Sequence, residues 1–381
     1  MERSAHIDSF TRDNLPPREQ WPDFVFSSSD LAYPPRLNCV TAFVDRWVDA
    51  GEGDRPCVFA PGLAWTYGDL AERVNRIANV LTEQLGMVPG YRVLLRSANT
   101  PMMVAVYLAV LKAGGVVVAT MPLLRARELT YPLAKAKITL ALCDHRLSAD
   151  MMTAAAATGT RVVTWGDGGS GSLEEMMAKA SPDFTTCDTA SDDVCLIGFT
   201  SGTTGEPKGT MHFHRDMLAI CDAYSAKVLK PARDDRFIGS PPLAFTFGLG
   251  GLVLFPLRVG ASMVLLEKAG PDDLLTAISL FKPTICFTAP TAYRAILGKL
   301  EGADLSSLRK CVSAGEALPK ATFDAWYAAT GLKLMDGIGA TEMLHIFIAA
   351  PEDKIVPGAT GLAVPGYEAR VIGPDGKEVP P

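Results

Sequence analysis

From about residue 40 the chain alternates between two hydrophobic periods, and this alternation restricts the fold more than any other feature of the sequence. Helical spacing runs through "TYGDLAERVNRIANVLTEQLG", where Thr66 precedes the pattern as an N-cap and Asp69 stands three residues on. A short β-branched run, "YRVLLRS", follows. The same order recurs in "TPMMVAVYLAVLKAG", with Thr100 as N-cap and Pro101 at the first helical position, and then "VVVAT". Further runs of strand character are "ITLALCD", "RVVTW", "VCLIGFT", "RFIGSPPLA", "SMVLLEK", "TICFTAP", "KCVSAG" and "LMDGIGA". A helix between successive strands implies a crossover, and crossovers build parallel sheets. The pattern predicts an α/β chain with largely parallel sheets, two of them at this length.

Composition excludes several other classes. With 48% apolar and 20% charged residues the chain is a folded protein with a large core, and its net charge of -6 offers no general attraction for nucleic acid or an anionic membrane. Any anion it binds must be met by local chemistry. The eight cysteines include no C-x-x-C pair, which argues against structural zinc and for reduced thiols in a cytoplasmic protein. The N-terminus lacks the apolar core of a secretory signal. The apolar run from Met102 is cut by Lys112 and Gly114-Gly115 into helix, turn and strand, so it is not a membrane span. Residues 166–193 have the Gly/Ser and acidic character of a linker. The expected units are 1–185, 186–357 and 358–381, the last a hairpin around a Pro-Asp-Gly turn.

The stretch "TSGTTGEPKG", Thr200 to Gly209, surrounds one lysine with hydroxyls and glycines. It follows the strand "VCLIGF" and precedes a helical pattern that Thr210 or Asp216 would cap. A loop between strand and helix brings free backbone N–H groups together, and glycines let the chain approach an anion closely. Residue types alone fit a solvated turn equally well. A Walker A loop is excluded: Gly205 is followed by Glu206 and Pro207 before Lys208, and Gly209 stands where a hydroxyl should be.

What the stretch resembles is the phosphate loop of the acyl-adenylate-forming (AMP-binding) superfamily. "SAGEALP" resembles that family's adenine-contacting turn, "DGIGATE" its Y-G-x-T-E signature, and "GATGLAVPGYEARV" the segment leading to its hairpin, all in the family's order. The resemblance implies two α/β subdomains whose mostly parallel sheets stack with helices between and around them, plus the start of a small β-rich subdomain. It implies that Thr200, Ser201, Gly202, Thr203, Thr204, Gly205 and Lys208 wrap the β- and γ-phosphates of ATP. Thr341 would bond the α-phosphate and Glu342 would ligate Mg²⁺, which favours a carboxylate with phosphate oxygens. Glu316, Ala317, Asp336, Gly337 and Ile338 would line the adenine side. Ile338 stands where most members have tyrosine, so aromatic stacking on the purine is lost.

The segment "PPLAFTFGLGG" lacks the aspartate with which members that activate amino acids hold an ammonium. Instead Phe245 and Phe247 flank Thr246 and lead into Gly248, Gly250 and Gly251, which suits a flat aromatic acid. "DGIGATEMLHIFI" resembles the benzoate-CoA ligase type of the aryl-CoA ligase branch, and "GTMHFHRDM" with "DNLPPREQWP" resembles its 2-aminobenzoate (anthranilate)-CoA ligases. By that resemblance Phe245, Thr246, Phe247 and Gly248 would form a slot for an aromatic carboxylic acid, completed by Gly315, Gly339, Leu344, His345 and Ile346. His212 and His214 are expected to serve structure near the helix start. The family continues into a C-terminal lid carrying a catalytic lysine, which "RVIGPDGKEVPP" does not reach. The chain is therefore expected to be the large N-terminal domain of a longer enzyme that makes an acyl-adenylate and then a thioester with coenzyme A. Two alternatives stay open: an aryl-acid adenylation protein that loads a carrier protein, and a non-catalytic nucleotide-binding protein.

Overall fold

The computed structural model describes residues 3–21, 23–24, 28–200 and 206–380. Its helices begin where the capping residues predict. Thr66 Oγ1 accepts the Asp69 N–H at 3.1 Å while the Asp69 carboxylate accepts the Thr66 N–H at 2.9 Å, opening helix Tyr67–Asn79. Thr100 Oγ1 accepts the Met103 N–H at 3.1 Å, opening Pro101–Lys112, and the chain turns at Gly114 into strand Val116–Thr120.

Among the described residues the strands form a six-stranded sheet, a nine-stranded sheet and a two-stranded hairpin. The six-stranded sheet runs Arg161–Trp165, Leu140–Asp144, Arg92–Arg96, Val116–Thr120, Val194–Thr200, Lys208–Phe213; every pairing is parallel except the last. The other sheet has a parallel centre made of Leu334–Gly339, Lys310–Ala314, Ile285–Thr288, Arg236–Gly239, Ser262–Val264 and Pro56–Ala60. Antiparallel strands flank it: Ile346–Ala349 and Leu362–Ala363 on one side, Leu63–Thr66 on the other.

Residue alternation along these strands produces layers. Val93, Leu95 and Val117 of the smaller sheet and Phe237, Phe287 and Val312 of the larger one share a central core with helices Tyr67–Asn79 and Pro101–Lys112. Their neighbours Leu94, Val116 and Val118 turn outward onto helices Ala126–Lys135 and Ser148–Thr158. Ile238, Cys286 and Cys311 turn outward onto Pro271–Phe281, Pro290–Leu297 and Lys320–Thr330. The order is helix, sheet, helix, sheet, helix, which is the stacked α/β arrangement expected from the sequence.

The expected boundary at residue 185 does not follow the sheets. Val194–Phe213 completes the six-stranded sheet, and Pro56–Thr66 joins the other one. The linker between them is therefore a crossover within one sheet rather than a passage between two. At the far end Val371–Ile372 pairs with Glu378–Val379 across the Pro-Asp-Gly turn, Gly376 supplying a φ of 76°. The eight cysteines are free, and all but the half-buried Cys187 are buried. No helix among the described residues is long and apolar enough to cross a membrane.

Candidate active site

The strands on either side of the glycine-hydroxyl stretch pair with each other, where a strand-to-helix turn was expected. Val194–Thr200 and Lys208–Phe213 pair antiparallel with Thr200 opposite Lys208, and the helix starts only at His214. "KGTMHF" pairs as an edge strand because its partner is already fixed in the parallel sheet. Asp216, one of the two expected caps, accepts the Phe213 N–H at 2.8 Å; Thr210 instead donates across the hairpin to the Gly198 carbonyl at 2.8 Å. The predicted phosphate contacts Ser201, Gly202, Thr203, Thr204 and Gly205 lie outside the described residues. The hairpin's return is anchored beside them: Tyr131 Oη donates to the Pro207 carbonyl at 3.0 Å, with the Tyr131 ring edge-on to Phe199. Lys208 is exposed and forms no ion pair among the described residues.

The hairpin meets the far sheet at Thr341. Strand Leu334–Gly339 ends in the short 3₁₀ turn Thr341–Met343, whose Thr341 methyl packs over Gly198; a Cβ on Gly198 would stand 2.8 Å from it. Gly198, Phe245, Thr246, Leu249 and Thr341 line one narrow cleft, so a residue predicted for the α-phosphate and two predicted for the acid share a cavity. Glu342 is exposed on the same turn. A solvated carboxylate of this kind fits Mg²⁺, which keeps waters and takes one or two carboxylates. Protein groups alone build no metal centre: among the described residues no three His, Cys, Asp or Glu side chains converge.

The residues expected to line the adenine lie together at the ends of two adjacent parallel strands, where Ser313 is paired with Asp336 and Ala314 with Gly337. Gly315 adopts φ 95°, and Gly315, Glu316 and Ala317 are exposed. The Glu316 carboxylate is occupied, accepting from Thr291 Oγ1 at 2.6 Å, so this turn offers its backbone. Ile338 is 46% exposed, an apolar cover without aromatic stacking. Burial pushes the Asp336 carboxyl up to about 6, and its Oδ1 has no hydrogen-bond partner.

On the acid side the structure corrects the expected slot. Phe245 is 48% exposed, whereas Phe247 packs inward against Phe287 and His345, with ring centroids 5.7 and 5.6 Å apart. The two phenylalanines do not flank a common slot, because helix Thr246–Leu249 begins between them and turns them apart. The glycines form no open shelf either. A Cβ on Gly248 would lie 2.2 Å from the Pro242 carbonyl oxygen, one on Gly250 2.4 Å from His345 Cδ2, and one on Gly251 2.6 Å from Phe287 Cδ1. The spaces that looked available to a flat guest are filled by the protein. Gly337 and Gly339 likewise give room to the Ile346 side chain and the His345 carbonyl of the neighbouring strand.

His345, 2% exposed, is ringed by Tyr224, Phe247, Phe255 and Phe287. Burial lowers its pKa to about 3, so the imidazole is neutral; its Nε2 donates to the Phe247 carbonyl at 3.4 Å. Leu344 and Ile346 beside it are buried, and Leu344 takes φ 63°, a left-handed conformation rare for a non-glycine residue. His214 is buried at the helix start with Nδ1 against the Cys39 N–H and Sγ, the structural role expected of it. His212 reaches further than expected, its Nε2 lying 2.7 Å from the Thr341 carbonyl oxygen. Gly198 is a site residue that sequence reasoning missed, as it missed the contact of His212 with Thr341. Only their place in strands flanking the phosphate stretch could have drawn notice to them.

A model of the AMP-binding enzyme family matches residues 44–381. The chain is 33% identical over 354 residues to the benzoate–CoA ligase of Thauera aromatica, covering 92% of this chain and 67% of that protein. It is 32% identical over 300 residues to the anthranilate–CoA ligase of Pseudomonas aeruginosa, covering 76% of this chain and 56% of that one. Among solved structures, the anthranilate CoA ligase AuaEII in complex with anthranoyl-AMP superposes with a TM-score of 0.89 at 32% identity, over 93% of this chain and 69% of that chain. The chain spans about two thirds or less of the length of these curated relatives.

Proposed function

The chain belongs to the AMP-binding enzyme family, and from that premise we propose that the whole protein activates an aromatic carboxylic acid with ATP, forming an acyl-adenylate and then a coenzyme A thioester. The observation that carries the aromatic reading is the lining of the cleft beside Thr341: Tyr107, Phe199, Leu243, Phe245 and Leu249 face it and, among the described residues, no carboxylate does. Such a wall suits a flat apolar ring and gives no counter-charge to an ammonium. The names of the relatives support the same class, benzoate and 2-aminobenzoate being the best guesses.

Joining the two anions is a problem of positioning and of absorbing leaving-group charge. Thr200 and Lys208, opposite each other at the root of the hairpin, hold the triphosphate end together with residues 201–205. Across the cleft the Thr341 hydroxyl would bond the α-phosphate, and Glu342 would hold Mg²⁺, which would supply charge neutralisation for the phosphates. Backbone of 315–317, Asp336 and Ile338 keep the base in place. The remaining steps, closure by a lid and transfer to coenzyme A, belong to the longer protein.

The test is thermal unfolding of the chain with Mg²⁺-ATP plus benzoate, 2-aminobenzoate, salicylate or a medium-chain fatty acid. A ligand at 100 times its Kd stabilises by about 2.7 kcal/mol, so the true acid should raise Tm most. A larger shift with the fatty acid, or none with any aromatic acid, refutes the reading. Supplying the whole enzyme with coenzyme A or with a phosphopantetheinylated carrier protein then separates the two acceptors.

A further inference from the structure

The return strand of the phosphate hairpin also grips the turn across the cleft. His212, in strand Lys208–Phe213, is 4% exposed, and its Nε2 lies 2.7 Å from the Thr341 carbonyl oxygen. A carbonyl can only accept, so Nε2 carries the hydrogen and donates it. Behind the ring, Nδ1 stands 3.7 Å from Asp216 Oδ2, and that carboxylate is itself fixed by the Phe213 N–H at 2.8 Å. The opposite strand supplies Gly198, whose missing side chain admits the Thr341 methyl. Thr341 is therefore held by both strands of one hairpin, at its backbone by His212 and at its methyl by Gly198.

The gripped element has little stiffness of its own. Thr341–Met343 is a single 3₁₀ turn, and it is followed at once by Leu344 in a left-handed conformation. Without an external anchor such a turn has no reason to keep Thr341 and Glu342 aimed at the hairpin. We propose that His212 is a positioning residue: it ties the Thr341–Glu342 turn to the phosphate hairpin, so that both side chains face the same phosphate and its cation. This rests on the function proposed above. His212 touches no reacting atom; it acts through the carbonyl.

The test is calorimetric titration of the chain with three probes: Mg²⁺-ATP, a benzoyl-sulfamoyl adenosine as a stable acyl-adenylate analogue, and adenosine. His212→Ala should weaken the first two by about 10-fold, the loss of one hydrogen bond to a preorganised group, and leave adenosine within about 2-fold. His212→Gln, which can place an amide N–H where Nε2 was, should recover most of that loss. Should His212→Ala fail to fold, His212→Leu fills the volume of the ring without a donor and should give the same ordering of losses. Equal weakening of all three probes, no weakening at all, or no recovery with glutamine overturns the role of His212 while leaving the proposed function in place. An unaltered chain that bound none of the three would overturn both.

Discussion

Replacing Asp336 with asparagine should stabilise the fold at pH 8 and do nothing for it at pH 4. Burial with Oδ1 unpaired raises the Asp336 carboxyl from its ordinary 3.8 to about 6. Two units correspond to about 3 kcal/mol for a fully desolvated group, and because this carboxyl is only partly buried we take about half, ~1–2 kcal/mol. The sign follows from linkage. The folded-state pKa is raised, so the protonated form suits the fold; its advantage is whole below the unfolded value and is lost as pH climbs through about 6. Asparagine is a neutral isostere at every pH. The gap between Asp336→Asn and the unaltered chain should therefore be full at pH 8, fall to roughly half at pH 5 and close near pH 4. Urea unfolding of both proteins at these three pH values measures it directly. A gap that does not vary with pH, or an asparagine variant less stable at pH 8, would show that the carboxyl is not desolvated as the structure implies.

Two further substitutions probe the frame around the site. Gly250→Ala should destabilise by about 1–3 kcal/mol in urea, since its methyl must displace the buried His345 ring that now lies 2.4 Å from the Cβ position. Arg309→Met should cost about 3 kcal/mol, because Asp235, 2% exposed, loses its guanidinium partner and keeps only Thr284 Oγ1 and the Ala232 N–H. Burial raises the Asp235 carboxyl, but Arg309 and Thr284 outweigh it and hold the group below the usual carboxylate range. That contribution exists above the unfolded pKa, so the Arg309→Met deficit should shrink as pH falls through the carboxylate range; a deficit that stayed constant would assign it to packing.

Elements whose signals are local were legible in the sequence. Thr66 with Asp69, and Thr100 with Pro101, open helices where expected because a cap is decided within four residues. The central strands stand out for their β-branched runs, used in full in some, such as Val194–Thr200, and shortened in others, such as Arg236–Gly239 from "RFIGSPPLA". Strands that form only because a partner waits for them were not legible. "KGTMHF" has a glycine and polar residues and becomes a strand against Val194–Thr200, and Pro56–Thr66 finds its place beside Ser262–Val264, some two hundred residues away. The same limit explains the glycines of the acid side. A missing side chain announces that something comes close, but the sequence does not say whether that is a ligand or, as at Gly250 and Gly251, a ring of the protein itself. His212 was assigned to the helix start because the strand preceding that helix had not been recognised.

Gly198 and Thr341 touch although one is rooted in the six-stranded sheet and the other in the nine-stranded sheet. The two halves of the candidate site are thus registered to each other by this contact and by the helices sandwiched between the sheets, much as two rails are gauged by their ties. Side chains such as Val104 and Leu108 on Pro101–Lys112 set that gauge from deep inside the molecule. Altering their volume would leave each sheet whole and still detune the chemistry at a distance.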